Sequence, residues 1–93
     1  SYSVAILGAS GYAGGELVRI VDGHPDLDLV HLGGHASAGS RLGDVHPQLA
    51  GGDRLLGSLD DVPAVDVAFL SLPHGASAEL GHALAGQGTL VVD

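Results

Sequence analysis

Cysteine and lysine, two residue types with distinctive chemistry, are absent from this sequence of 93 residues. Without cysteine, disulfides, zinc–thiolate sites and a thiol nucleophile are excluded within these residues. Without lysine, a P-loop and a Schiff-base mechanism are excluded as well. Aromatic residues make up only 3% of the chain. No apolar run approaches the ~18 residues that a membrane-spanning helix requires.

Positive charge is also scarce, since three Arg residues stand against 11 Asp and Glu, for a formal net charge of −8 at pH 7. This balance disfavours nucleic acid and anionic membranes as partners, because both need a basic face. We therefore expect a soluble, cytoplasmic chain that binds neither. His31 and His35 could suggest a metal pair, but no further ligand is spaced to complete a set, so no metal site is expected.

Glycine and small aliphatic residues, in contrast, are abundant. The chain has 16 glycines, and 45% of it is hydrophobic. A core of Val, Leu, Ile and Ala joined by glycine-rich turns is typical of a buried parallel sheet covered by helices. The length corresponds to one small domain at most.

Apolar runs and helical spacing alternate along the chain in a β–α–β order. A buried strand at 3–7 precedes a helix from near 11 to 23, in which Leu17, Val18, Ile20 and Val21 follow helical spacing, and a second strand at 27–32 comes next. The later pattern predicts strands at 54–56, 65–72 and 89–92, the last of them buried, and a helix at 76–85 that directs Leu80 and Leu84 inward.

These elements predict an α/β fold, a Rossmann-like doubly wound parallel sheet. The sequence stops directly after its last predicted strand, where a further connection is expected. We therefore interpret residues 1–93 as the N-terminal portion of a dinucleotide-binding domain that is incomplete here.

The turn after the first strand carries the clearest chemical signal. Gly8, Gly11 and Gly14 form a G-x-x-G-x-x-G pattern between a predicted strand and a predicted helix. Glycine permits the tight turn, the close approach of a pyrophosphate to the backbone, and close packing of helix on strand. The helix N-terminus then offers N–H groups to the phosphates. A plain glycine-rich turn is the alternative interpretation.

The end of the second strand indicates which dinucleotide is bound. NAD sites usually place Asp or Glu there, but this chain has no carboxylate until Asp44. Ser37 can donate a hydrogen bond to a 2′-phosphate, and Arg41 is close enough in sequence to pair with it. NADP is therefore favoured over NAD, although Arg41 could instead be a solvated loop cation.

The strand at 65–72 ends in a run from Leu72 to Gly75. Ligands in doubly wound sheets bind outside the carboxyl ends of the strands, which places this run beside the nicotinamide half of a coenzyme. His74 is a conceivable general base, but lining the pocket or bonding the backbone is the simpler role for it.

Two motifs together resemble one enzyme family. The run Val4–Leu17, with G-A-S-G-Y-A-G-G-E-L, and the run Phe69–Gly75, with L-P-H-G, are similar to N-acetyl-γ-glutamyl-phosphate reductases, enzymes of arginine biosynthesis. Gly23–Pro25 and His46–Pro47 match as well. Aspartate-semialdehyde dehydrogenases share the glycine pattern, but they usually lack the Tyr and the L-P-H-G.

The resemblance implies an oxidoreductase in which NADPH reduces a small-molecule acyl phosphate to an aldehyde. In the family a Cys attacks the acyl phosphate and a His assists as acid or base; the Cys lies in a second domain, which is absent here, so no catalytic residue is assigned in this chain. A homo-oligomer is expected for the full-length enzyme. By match to the motifs, three groups would contact the coenzyme: for the pyrophosphate Ser10, Gly11, Tyr12 and Ala13, for the 2′-phosphate Ser37 and Arg41, and for the nicotinamide ribose Leu72, Pro73, His74 and Gly75.

Two alternatives stay open from the sequence. One is a non-catalytic, nucleotide-sensing Rossmann module, which needs no nucleophile. The other is the cofactor domain of an enzyme like aspartate-semialdehyde dehydrogenase. A phospho-receiver of the flavodoxin-like type is disfavoured, because it needs a lysine.

Overall fold

The computed structural model describes residues 1–8, 12–34, 39, 41, 43, 55–57, 59, 62–72 and 74–92. The strands and helices within these residues alternate as the sequence predicts. In chain order they are β1 (Tyr2–Leu7), α1 (Tyr12–Asp22), β2 (Leu27–Gly33), β3 (Val67–Leu70), α2 (His74–Gly86) and β4 (Leu90–Val92).

The strands form one sheet in the order β2-β1-β3-β4, and every neighbouring pair is parallel. β1 is central: Val4 pairs with Leu29 of β2 on one side and with Val67 of β3 on the other. A register irregularity between Val4 and Ala5 interrupts the pairing with β2. The chain thus crosses from one side of β1 to the other between β2 and β3, which confirms the Rossmann-like fold class.

The hydrophobic core lies on both faces of the sheet, because successive side chains of β1 point to opposite sides. Val4 and Ile6 pack with Val18 and Val21 of α1. Ala5 and Leu7 pack on the other face with residues of β3 and with Leu84 of α2. These four residues of β1 are fully buried, as a strand covered on both faces requires. The two helices therefore cover opposite faces of the sheet.

Two predictions about individual strands were wrong. β4 was expected to be buried, yet Leu90 and Val92 are exposed, because β4 is the edge strand of the described sheet. The predicted strand at 54–56 is reduced to two isolated bridges, at Leu55 and at Gly57, and Arg54 lies outside the described residues. Leu56, between those bridges, is nevertheless fully buried.

The helices differ from prediction at two points. Ile20 of α1 is 55% exposed, because at 100° per residue it falls outside the face that Val18 and Val21 present to the sheet. α2 begins at His74, not at 76, so His74 and Gly75 belong to its first turn and do not end the preceding strand. A Pro–His–Gly run is compatible with this start, since proline favours helix entry as well as strand ends.

No helix in the described part of the chain is long and apolar enough to cross a membrane. Among the same residues, no group of three or more His, Asp or Glu side chains could hold a metal ion.

Candidate functional site

The candidate site lies at the carboxyl ends of β1 and β3. The chain runs from β1 to β2 on one side of β1 and then crosses from β2 to β3 on its other side, so the strand order changes direction at β1, where a doubly wound sheet has its crevice. Such a switch point is where doubly wound sheets bind their ligands. Both α1 and α2 begin at this edge, because each follows a strand of the same parallel sheet.

Gly8 lies between the ends of β2 and β3, and hydrogen bonds connect this turn to both. Its N–H donates to the Gly33 carbonyl at 2.7 Å, while the N–H of Ser71 donates to the Leu7 carbonyl at 2.8 Å. The φ angle of Gly8 is +92°, and a Cβ there would lie 2.7 Å from the carbonyl carbon of Ser71 and closer still to its oxygen. Only glycine satisfies both the backbone conformation and the space.

The N-terminus of α1 follows this turn and faces the crevice. The first turn of α1 has no acidic side chain, so its N–H groups and the positive end of the helix dipole are not opposed by a carboxylate there. Ala13 is exposed, whereas Gly14 is buried. Glu16, one turn on, is paired with Arg19 at 2.8 Å.

The end of β2 is closely packed at Gly33. A Cβ on Gly33 would lie 2.8 Å from Cδ2 of Leu7 and 3.0 Å from Cδ2 of Leu59. Gly34 is buried too. Close packing at Gly33 thus accompanies the lack of a carboxylate that the sequence shows at the end of β2.

Arg41 is exposed, and its backbone forms an antiparallel bridge with Leu55. The bridge from Gly57 to Gly33 joins the same segment to the end of β2. The structure therefore connects Arg41 to the strand end where a 2′-phosphate is expected. Ser37, the other residue predicted for that phosphate, lies outside the described residues.

Leu72 lies just after β3 and close to Gly8, and its place beside the nicotinamide stays a prediction. It is half-buried, and its Cδ2 would be 3.2 Å from a Cβ on Gly8. His74 and Gly75 follow in the first turn of α2. The end of β1 and the end of β3 are thus in contact, and both adjoin a helix N-terminus.

The other predicted site residues are only partly placed. Tyr12 and Ala13 begin α1 next to the crevice, in agreement with a position near the pyrophosphate. The predictions for Ser10, Gly11 and Pro73 fall outside the described residues. The contacts of all these residues with a coenzyme remain predictions.

Sequence reasoning did not identify two features of the site. One is the backbone of Ser71, which limits the space at Gly8. The other is the segment 55–57, which links Arg41 to β2. The short apolar run at 54–56 was a signal for a pairing there, but it did not indicate the partners.

Comparison with known proteins agrees with the fold and the glycine turn. The family model described as semialdehyde dehydrogenase, NAD binding domain, matches residues 3–93. N-acetyl-gamma-glutamyl-phosphate reductase from Pseudarthrobacter chlorophenolicus is 50% identical over 98% of this chain and 27% of its own length. The protein of the same name from Salinispora arenicola is 52% identical over 97% of this chain and 27% of its own length.

A solved structure, aspartate semialdehyde dehydrogenase with NADP from Candida albicans, superposes with a TM-score of 0.82 at 20% identity, over 97% of this chain and 28% of that one. At this identity the likeness concerns the fold. This chain spans about a quarter of the length of these relatives. By its glycine turn, its parallel sheet and the match over residues 3–93, the chain belongs to the family of semialdehyde dehydrogenase NAD-binding domains.

Proposed function

We propose that this chain is the coenzyme-binding part of an NADPH-dependent N-acetyl-γ-glutamyl-phosphate reductase. The reaction would convert N-acetyl-glutamyl 5-phosphate into N-acetyl-glutamate 5-semialdehyde, a step of arginine biosynthesis. Support comes from relatives at about 50% identity across nearly the whole chain. The acyl-phosphate substrate would be held by residues outside these 93, in a cytoplasmic, homo-oligomeric enzyme.

One structural observation carries the coenzyme assignment: α1 starts at the carboxyl edge of the parallel sheet, where its first backbone N–H groups could bind a phosphate. Gly8 lets the end of β1 lie against the Ser71 carbonyl, and α1 begins at Tyr12 with no acidic side chain in its first turn. Backbone N–H groups at such a helix start bind phosphate oxygens well. This suits a chain with a net charge of −8.

The 2′-phosphate is the second part of the proposal. An acidic residue at the end of β2 would repel that phosphate, but Gly33 and Gly34 stand there in tight packing. Arg41, linked to this strand end through Leu55 and Gly57, would supply the positive charge. The residues present therefore fit NADP better than NAD.

The chemistry that NADPH supplies when bound is hydride donation from its nicotinamide ring. This chain's own residues would orient the coenzyme: the start of α1 would hold the pyrophosphate, and Arg41 the 2′-phosphate. The half-buried Leu72 would exclude water from the nicotinamide side. His74 would line that side from the first turn of α2.

Replacing Arg41 tests the assignment. Arg41→Gln removes the charge from one charge-assisted hydrogen bond, worth about 1.5–3 kcal/mol, so NADPH affinity should fall about 10- to 150-fold. The affinity for NADH should stay within about twofold, because NADH has no 2′-phosphate. Dissociation constants for both coenzymes, measured by fluorescence titration of the full-length protein, give the two values.

Arg19→Gln is the matched control, since Arg19 pairs with Glu16 on the surface of α1. It should leave both dissociation constants unchanged. A wild-type protein that binds NADH as tightly as NADPH would contradict the proposal. An Arg41→Gln variant that weakens both coenzymes equally would contradict the role of Arg41.

A further inference from the structure

The segment Leu55–Gly57 is attached to the carboxyl end of β2 by two backbone hydrogen bonds. The N–H of Gly57 donates to the Leu32 carbonyl at 2.6 Å, and the N–H of Gly34 donates to the Gly57 carbonyl at 3.0 Å. Gly57 and Gly33 form a parallel bridge. The segment thus extends the sheet by one strand position beyond β2, over a very short length.

The opposite side of the same segment holds the backbone around Arg41. The N–H of Gly39 donates to the Leu56 carbonyl at 2.6 Å, and Arg41 forms an antiparallel bridge with Leu55. Two successive strand spacings place the Arg41 backbone about 10 Å from that of β2. Its position along the edge of the site is therefore set by the segment 55–57.

Leu56 fixes this segment in the core. Its side chain is 1% exposed and belongs to the cluster that contains Val4, Ile6 and Leu32, whereas Leu55 is 65% exposed. A shift of the segment would pull a buried leucine out of its packing, which is costly. The backbone at Arg41 is consequently tied to the core, although its side chain is exposed.

Gly57 determines how closely the segment approaches β2. A Cβ on this residue would lie 2.8 Å from Cε1 of His31, with both ring nitrogens within 3.6 Å. His31 belongs to β2 and is half-buried. An alanine at 57 would therefore push either the His31 ring or the segment 55–57 away. If the segment moves, the two hydrogen bonds between it and β2 are lost.

We propose that Gly57 is a positioning residue for coenzyme specificity. By lying against the His31 ring, it lets the segment 55–57 hold Arg41 at the distance at which its guanidinium meets a 2′-phosphate. The inference rests on the proposed function, because it presupposes that Arg41 contacts that phosphate. It adds that the preference for NADPH depends on a residue that acts through the position of Arg41.

The test measures the ratio of the NADH to the NADPH dissociation constant for the full-length protein. Gly57→Ala should lower this ratio at least about fivefold, while NADH affinity stays within about twofold. In a His31→Ala background the same substitution should no longer change the ratio, because the ring that the new methyl meets is gone. Gly86→Ala, whose Cβ would meet nothing within 4 Å, is the matched control and should behave as wild type.

A second variant tests the same prediction in case the Gly57→Ala protein does not fold. Leu56→Val trims the core anchor mildly and should also lower the ratio, by about threefold, with little change for NADH. An unchanged ratio in a folded Gly57→Ala protein, or an equal weakening of both coenzymes, would overturn the inference, since a purely structural defect does not discriminate between them.

Arg41→Gln separates this failure from failure of the proposed function. If Arg41→Gln lowers the ratio and neither Gly57→Ala nor Leu56→Val does, the positioning role is refuted while the assignment of Arg41 stands. If Arg41→Gln itself leaves the ratio unchanged, the assignment of Arg41 is wrong and the positioning role falls with it.

Discussion

Gly8 should be required for the stability of the protein itself, even when no coenzyme is bound. Alanine at a φ of +92° carries a backbone cost of about 1–2 kcal/mol. The new Cβ would also lie 2.7 Å from the carbonyl carbon of Ser71, whereas ordinary contact begins at 3.4 Å, so the end of β3 must retreat. That movement strains the bonds Gly8–Gly33 and Ser71–Leu7, each worth about 1 kcal/mol.

The sum predicts that Gly8→Ala lowers the free energy of unfolding by about 2–4 kcal/mol. Urea unfolding of the coenzyme-free protein, followed by far-UV circular dichroism, measures this loss. Hydrogen exchange should localise the effect, with faster exchange in peptides from β1 and β3 than in peptides from the far end of α2. Gly86→Ala is the control, because its Cβ would meet open space.

A different result would refute the reasoning from close approach. If Gly8→Ala unfolds with the same free energy as wild type but no longer binds NADPH, the glycine serves only the coenzyme. The contact with Ser71 would then have no energetic weight. Faster exchange confined to the start of α1 would equally contradict it, since the conflict lies between β1 and β3.

Two further predictions concern the opposite end of the sheet. Asp66→Ala should lower the free energy of unfolding by about 1 kcal/mol, because the exposed Asp66 carboxylate accepts hydrogen bonds from the N–H and the hydroxyl of Ser3, at 2.9 and 3.2 Å. Glu79→Ala, at an exposed helical position, is the control and should change it very little, so equal urea midpoints for the two variants would refute the prediction. Thr89→Val should lower the free energy of unfolding by about 1–3 kcal/mol, because the buried Thr89 hydroxyl donates a hydrogen bond to the Val65 carbonyl at 2.9 Å. Thr89→Ser keeps that donor and should retain more of the stability. A serine variant as unstable as the valine variant would show that the hydrogen bond contributes little.

The sequence was sufficient to predict the fold class, because each element carries a local signal. The uninterrupted apolar run of β1, the glycines after it and the helical spacing of α1 occur in the order that defines a βαβ unit. The ends of elements were predicted less well. The start of α2 at His74 was missed since proline and glycine mark helix starts as readily as strand ends.

Burial at the sheet edge could not be predicted from apolar content alone. Leu90 and Val92 are as hydrophobic as the β1 residues, but their exposure depends on whether another strand lies beside them, and in the described sheet β4 is at the edge. The same reason explains Ile20, whose exposure depends on which face of α1 meets the sheet. Such facts are set by tertiary contacts and leave no local pattern.

At the candidate site, too, some features were visible in the sequence and others depended on tertiary contacts. Glycine at 8 and the missing acid after β2 were visible in the sequence, and the structure adds close contacts of Gly8 with Ser71 and of Gly33 with Leu7. The link from Arg41 through Leu55 to β2 was not visible, because it depends on pairing between residues that are distant along the chain. Backbone pairing outside regular strands has no compositional signature.

Net charge and local geometry have opposite effects on the affinity of this site for a phosphorylated coenzyme. A chain with a net charge of −8 repels a phosphorylated coenzyme over long distances. Salt screens that repulsion within about 8–10 Å, so groups in direct contact with the phosphates decide the affinity. At the pyrophosphate those groups would be the N–H groups at the start of α1, which no carboxylate in its first turn opposes. At the 2′-phosphate a single cation, Arg41, would carry the discrimination, which is why the position of its backbone matters.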